Sequence, residues 1–243
     1  MTKRSSGPSR TGPGRTGPGS TGQESAAAME ALYPFLYSDS APDLDAVLAQ
    51  VRASTVAKAR EITELRQVIA ARDATRIAAC AAEMAARFAG GGRLLAFGNG
   101  GSATDAQELA TLFLDPGPGE RALPAYCLAN DIAVVTALSN DVGFDVVFSR
   151  QIAAFGRAGD IAVGLSTSGN SGNLLRAFDE AARRGLLTIG IAGYDGGKMA
   201  ELDSIDYLFV VNSASVHRIQ EAQTTIYHVL WELTRHIVDI DAR

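Results

Sequence analysis

The sequence predicts a doubly wound α/β fold: a parallel sheet of five strands with helices on both faces, preceded by N-terminal helices. Two observations predict it. From Arg93 onward, short apolar runs alternate with helical segments, as strands joined by crossover helices do. Apart from Thr188 the runs are apolar rather than alternating, which is what strands buried on both faces require. They are Leu94–Phe97, Pro124–Leu128, Ile161–Leu165, Leu187–Ile191 and Tyr207–Val211. Helices are expected between and after them, near Ser102–Leu114, Ile132–Ala137, Phe144–Phe155, Leu174–Arg184 and Val216–Val238.

The chain ahead of this pattern reads in two parts. Residues 1–28 carry the unit Arg-Thr-Gly-Pro-Gly twice and almost nothing that could be buried, so a disordered Gly/Pro/Ser tail is expected. Residues 29–92 read as N-terminal helices. Leu44, Val47, Leu48, Val51 and Val56, then Ile62, Leu65 and Ile69, recur at helical spacing to about Ala70. A second, alanine-rich run covers about Asp73 to Phe88 and stops at Gly90-Gly91-Gly92. So long a helical preface seldom buries both faces on its own domain, so packing against neighbouring subunits is expected. Residues 93–243 form the ligand-binding domain.

Bulk properties narrow the function classes. A length of 243 residues allows one sizeable core, and a net charge of -5 argues against nucleic acid as a direct partner. The two cysteines, Cys80 and Cys127, lie far apart in apolar surroundings and read as reduced core thiols. Lys3 and Arg4 are followed by no apolar run, and no stretch is long enough to cross a bilayer. The expectation is a cytoplasmic protein that does not engage a membrane.

Ligands in parallel sheets bind at the carboxyl ends of strands, so the turns there are the places to search. The first strand runs into Gly98-Asn99-Gly100-Gly101-Ser102. Its glycines let backbone approach a ligand, Ser102 can cap the next helix or donate from its hydroxyl, and the helix dipole favours an anion. Gly98, Gly100 and Ala103 also satisfy a loose dinucleotide pattern. However, no acidic residue ends a second strand about 20 residues on; Asp131 sits more than 30 away. The third strand runs into Ser166-Thr167-Ser168-Gly169-Asn170-Ser171, four hydroxyls around a glycine. That density of small donors matches the acceptor oxygens of a phosphate without needing Lys or Arg. A capped turn with incidental serines would explain one or two of them. Asp141 either caps a following helix or accepts a bond from a sugar hydroxyl.

The last helix carries Gln220, Glu221 and His228. Glu221 and His228 are seven apart and share a face; Gln220 lies about two turns before His228 and roughly 80° round the axis. The plain alternative is a satisfied surface or interface histidine.

Together these segments resemble the SIS (sugar isomerase) family, and within it the sedoheptulose-7-phosphate isomerases. The matching stretches are GNGGS at 98–102, SNDVGFDVVFSRQ at 139–151, GD at 159–160, STSGNS at 166–171, YDGGKMA at 194–200 and RIQE at 218–221. The resemblance implies an SIS-type five-stranded parallel sheet, a homotetramer with active sites between subunits, and aldose–ketose isomerisation through an enediol. It implies phosphate binding by Ser102, Ser166, Thr167, Ser168 and Ser171, with Asn99 and Asp141 nearby on the sugar; Gly100, Gly101 and Gln220 are further candidate substrate-binding residues. Some members hold zinc through His, Glu, Gln and His, of which the last two align with Gln220 and His228.

One departure stands out. The family's first histidine and its catalytic glutamate, four apart on the helix after GNGGS, are here Glu108 and Leu112. Leu112 can be neither base nor ligand. Glu108, Gln220 and His228 remain as a possible three-ligand zinc set, and Glu108 or Glu221 as a replacement base beside a general acid/base His228. Hence two readings: a phosphosugar isomerase with a rearranged base, or a phosphosugar-binding or assembly module that has lost turnover, like the DnaA initiator-associating branch.

Overall fold

The computed structural model describes residues 44–241. The tail at 1–28 and the onset of order near Met29 lie outside the described residues. The chain divides into two units, 1–56 and 57–243. Of the first, residues 44–56 are described; they are helical and exposed throughout.

The elements follow in order: α1 (Leu44–Ala89), β1 (Leu94–Gly98), α2 (Gly101–Leu114), β2 (Ala125–Cys127) and α3 (Ile132–Asp141). A 3₁₀ turn at Phe144–Val146 leads into α4 (Val147–Phe155), β3 (Ile161–Ser166), α5 (Gly172–Arg183) and β4 (Leu187–Gly193). After a second 3₁₀ turn at Gly197–Glu201 come β5 (Tyr207–Val211) and α6 (Val216–Asp241). All strand pairs are parallel, in the order β2-β1-β3-β4-β5.

Successive strand residues point to opposite faces, and each face has its own core. Leu94, Ala96, Val163, Leu165, Ile189 and Ile191 pack with Met84 and Phe88 of α1, Leu109 and Phe113 of α2, and Ile226 and Leu230 of α6. Leu95, Phe97 and Ala162 pack on the other face with Phe148 and Ile152 of α4 and Leu174 and Phe178 of α5. This two-sided cover is why the strands read as unbroken apolar runs.

Three expectations change on contact with the structure. The two N-terminal helical runs form one continuous helix, because Ala70-Ala71-Arg72-Asp73 contains no glycine or proline to stop it. Buried Asp73 is held there by Arg72 at 2.6 Å. Ser102 does not cap α2: the helix begins at Gly101, Gly100 is the cap, and no side chain closes it. Asp141 does not cap the helical turn that follows either. It is the last residue of α3, and Gly143 precedes the 3₁₀ turn.

Candidate active site

The chain leaves β1 for β2 on one side and returns to β3 on the other. The turns after β1 and β3 therefore diverge to opposite faces and open a crevice, the usual ligand position of such sheets. Gly98 stands in register with Leu165, so Asn99 and Ser166 emerge side by side. The two turns are locked together by a reciprocal amide pair: Asn99 Nδ2 donates to Asn173 Oδ1, and Asn173 Nδ2 to Asn99 Oδ1, each at 2.9 Å. The amide group of Asn99 thus joins the turns to each other.

Within the second turn the hydroxyls divide their work. Ser166 is buried and its Oγ accepts from the Gly169 N–H at 3.0 Å, while Ser168 Oγ accepts from the Asn170 N–H at 3.2 Å. Both hydroxyl protons remain to be donated to an anion. Ser171 begins α5 without closing its first turn, and Ser102 is buried in the first turn of α2. Gly169 is required: its φ is +66°, and a Cβ there would lie 1.9 Å from Gly196 O. The YDGG segment after β4 therefore buttresses the serine turn. From beneath, fully buried Gln223 donates to the carbonyls of Ser166 and Ile191, at 3.3 and 3.1 Å.

A second polar group lies along α2 where α6 crosses it. Glu108 Oε2 accepts from the Tyr227 hydroxyl at 2.7 Å, and its Oε1 lies 3.1 Å from His228 Nε2. Gln220 Nε2 reaches Asp105 Oδ2 at 3.5 Å, and a Cβ at Gly101 would meet that same nitrogen at 2.3 Å. So Gly101 makes room for Gln220 and thereby connects the glycine turn to this cluster. The two carboxyls are driven apart in acidity. Burial raises Asp105 above the usual carboxylate range, whereas the bond from Tyr227 holds Glu108 below it. Tyr227 is itself pushed upward by burial and stays a donor.

The other nominated residues hold contacts of their own. Among the described residues, Asp141 is bonded by its neighbour Asn140, at 2.8 Å. Its segment nonetheless flanks α5, because the Asp145 carboxylate sits against Gly172. Glu221 is taken by Arg218, which also reaches Glu61 at 3.2 Å, so it does not join the Glu108 cluster. The GD pair is structural: Asp160 accepts from Arg93 N and Nη2 at the opposite ends of the strands. Leu112 is half-buried against the core, and its carbonyl receives the Trp231 indole N–H at 2.8 Å. A cavity of 460 Å³ beside β2 contains none of the nominated residues. A groove of 400 Å³ along α2 contains both Glu108 and Leu112.

Asp105, Asn173, Gln223 and Tyr227 join the site through contacts that no sequence motif marks. Asp105 is within reach of sequence reading, three residues before Glu108 on one helix. Tyr227 lies among the buried core residues of α6.

An α/β sheet with hydroxyl-rich turns at its switch point, and an acid–histidine pair whose acid lies on the helix leaving the first of them, has the architecture of a phosphosugar-handling protein. The chain belongs to the SIS domain family, whose model matches residues 59–193. It is 47% identical over 179 residues to a phosphoheptose isomerase of Desulfovibrio desulfuricans, covering 73% of this chain and 84% of that protein. The phosphoheptose isomerase structure from Neisseria gonorrhoeae matches with a TM-score of 0.66 and 35% identity, over 80% of this chain and 99% of that one. That from Francisella tularensis matches with a TM-score of 0.69 and 28% identity, over 78% and 98%.

The zinc set implied by the family does not fit the donors present. Leu112 offers no ligand atom, the family's first histidine is the carboxylate Glu108, and the Nε2 of His228 is turned to that carboxylate at 3.1 Å. Among the described residues, no three His, Cys, Asp or Glu side chains cluster as a metal site.

Proposed function

We propose that this chain is a phosphosugar isomerase of the heptose type, interconverting sedoheptulose 7-phosphate and its aldose through an enediol in the cytoplasm. The observation that carries the reading is the Glu108–His228 pair at 3.1 Å, its acid on the helix that leaves the glycine turn. Relatives 41–47% identical bear the name phosphoheptose isomerase, which supports the same substrate class. Glu108 lies seven residues along α2 from Gly101, about 10 Å along the axis. That is the scale of an extended seven-carbon sugar anchored by its phosphate.

The chemistry follows from the protonation states. Ser102, Ser166, Thr167, Ser168 and Ser171, with the backbone of Gly100 and Gly101, hold the phosphoryl oxygens. Asn99, Asp141 and Gln220 are assigned to sugar hydroxyls. Ionised Glu108 removes the proton from the carbon beside the carbonyl, and the electron pair moves to form the enediol. His228 carries a proton from one oxygen to the other. Glu108 then returns its proton to the former carbonyl carbon, leaving the aldose and a regenerated site. No mass is gained or lost.

Incubation with sedoheptulose 7-phosphate in deuterium oxide tests this: deuterium enters beside the carbonyl and aldose accumulates. His228→Ala abolishes exchange while circular dichroism is unchanged. Saturable phosphosugar binding with no exchange at high protein concentration would instead establish a binding module. The reading includes a homotetramer with sites between subunits. It is supported by Leu44, Val47, Leu48 and Val51, which α1 leaves exposed at helical spacing. Sedimentation equilibrium should return four chains per particle; a monomer refutes that part.

A further inference from the structure

We infer that this isomerase site works without a resident zinc ion, the Tyr227–Glu108–His228 network taking the metal's place, with Tyr227 as the residue that positions Glu108. The inference rests on the isomerase reading and specifies how its site is built.

A zinc site requires several free lone pairs converging on one point, with each ligand oriented by a partner behind it. Here the convergence is already closed by hydrogen bonds. Glu108 is bonded at both oxygens, by the Tyr227 hydroxyl at 2.7 Å and His228 Nε2 at 3.1 Å. A metal held by both Glu108 and His228 Nε2 would displace the second of those bonds and, by drawing on the carboxylate, strain the first. Losing the first would strand the hydroxyl of Tyr227, a residue with no exposed surface. Its remaining partner, Thr224 Oγ1, is 3.4 Å away. An unsatisfied buried hydroxyl is costly, so the network resists opening.

The same bonds do what second-sphere partners do for a metal ligand. A carboxylate only accepts, so the Nε2 of His228 carries the proton toward Glu108 and Nδ1 is left as the ring's acceptor. Tyr227 stands next to His228 in the chain, their ring centroids 5.2 Å apart, and Trp231 meets the other side edge-on at 6.2 Å. The imidazole is thus fixed in tautomer by Glu108 and in place by two rings. Fully buried, Tyr227 acts through the Glu108 carboxylate that it bonds.

Two measurements on the full-length protein decide the matter. Elemental analysis of protein grown with added zinc should find far less than one zinc per chain, and dialysis against chelator should leave turnover unchanged. One zinc per chain, or activity lost to chelator and restored by zinc, overturns the metal-free assignment. In Tyr227→Phe, which keeps the ring and removes the donor, kcat should fall about 10- to 100-fold with KM unmoved. The ¹⁵N resonances of the His228 ring should shift from the single Nε2–H tautomer toward a mixture. An unchanged ring signature, or a kcat equal to wild type, overturns the role of Tyr227. Failures of the two readings separate cleanly. A chain that turns over while carrying one zinc refutes the inference alone. A chain that never turns over, holds no zinc and shows the Tyr227→Phe ring shift refutes the isomerase reading alone.

Discussion

Ser168 and Ser166 look alike in the sequence, yet the structure distinguishes them by burial. Ser166 is almost wholly enclosed and folds the turn through its bond from Gly169 N–H, whereas Ser168 is half-exposed at the mouth of the crevice. Removing the Ser168 hydroxyl should therefore touch the ligand more than the fold. Ser168→Ala is expected to weaken binding of the phosphorylated sugar about tenfold, the scale of one hydrogen bond to a charged group. The unphosphorylated sugar should bind as before, a difference that titration calorimetry can measure. Equal loss for both would place the hydroxyl elsewhere in the site. Four hydroxyls in six residues were legible as an anion cradle. Which of them shape the turn was not, because that depends on the direction of backbone N–H groups.

At the scale of elements, two turns behave as one unit because glycines let them touch. Gly169 lies against the carbonyl of Gly196, in a backbone region where a side chain is already strained. Gly169→Ala should cost about 2 kcal/mol or more in urea denaturation, and should raise KM by displacing the serine turn. An unchanged midpoint would mean that the two turns give way easily. The α2–α6 crossing is the other element-level feature. Glu108 and His228 are 120 residues apart, and α2·α6 contact alone makes them partners. Sequence reading could list both but not pair them. Spacing also leaves Glu221 open as a base, since it gives the face of a helix and not the cation that occupies it. Arg218 settles that choice.

For the molecule as a whole, the two ends of the sheet do different work. The carboxyl end carries the turns, while the amino end is pinned by Asp160, which is 3% exposed and bonded by Arg93 at 2.7 Å and by the Arg157 N–H at 3.0 Å. Asp160→Ala strands a half-buried guanidinium and should cost about 3 kcal/mol of stability. Because the pin is remote from the crevice, KM for the phosphosugar should be unaltered in the surviving folded protein. A changed KM with full stability would reverse that division of labour. Among the described residues, no helix is long and apolar enough to cross a membrane.

The sequence by itself determined the class of fold, the five strands and the two glycine-bearing turns, because unbroken apolar runs and turn chemistry are local properties. It also determined the departure at Glu108 and Leu112, which is a matter of residue identity. Tertiary structure alone decided that the two turns join through Asn99 and Asn173, that α1 is continuous, and that Glu108 belongs to Tyr227 and His228. Those facts arise from strand order and helix crossing, which bring together residues that no local spacing relates.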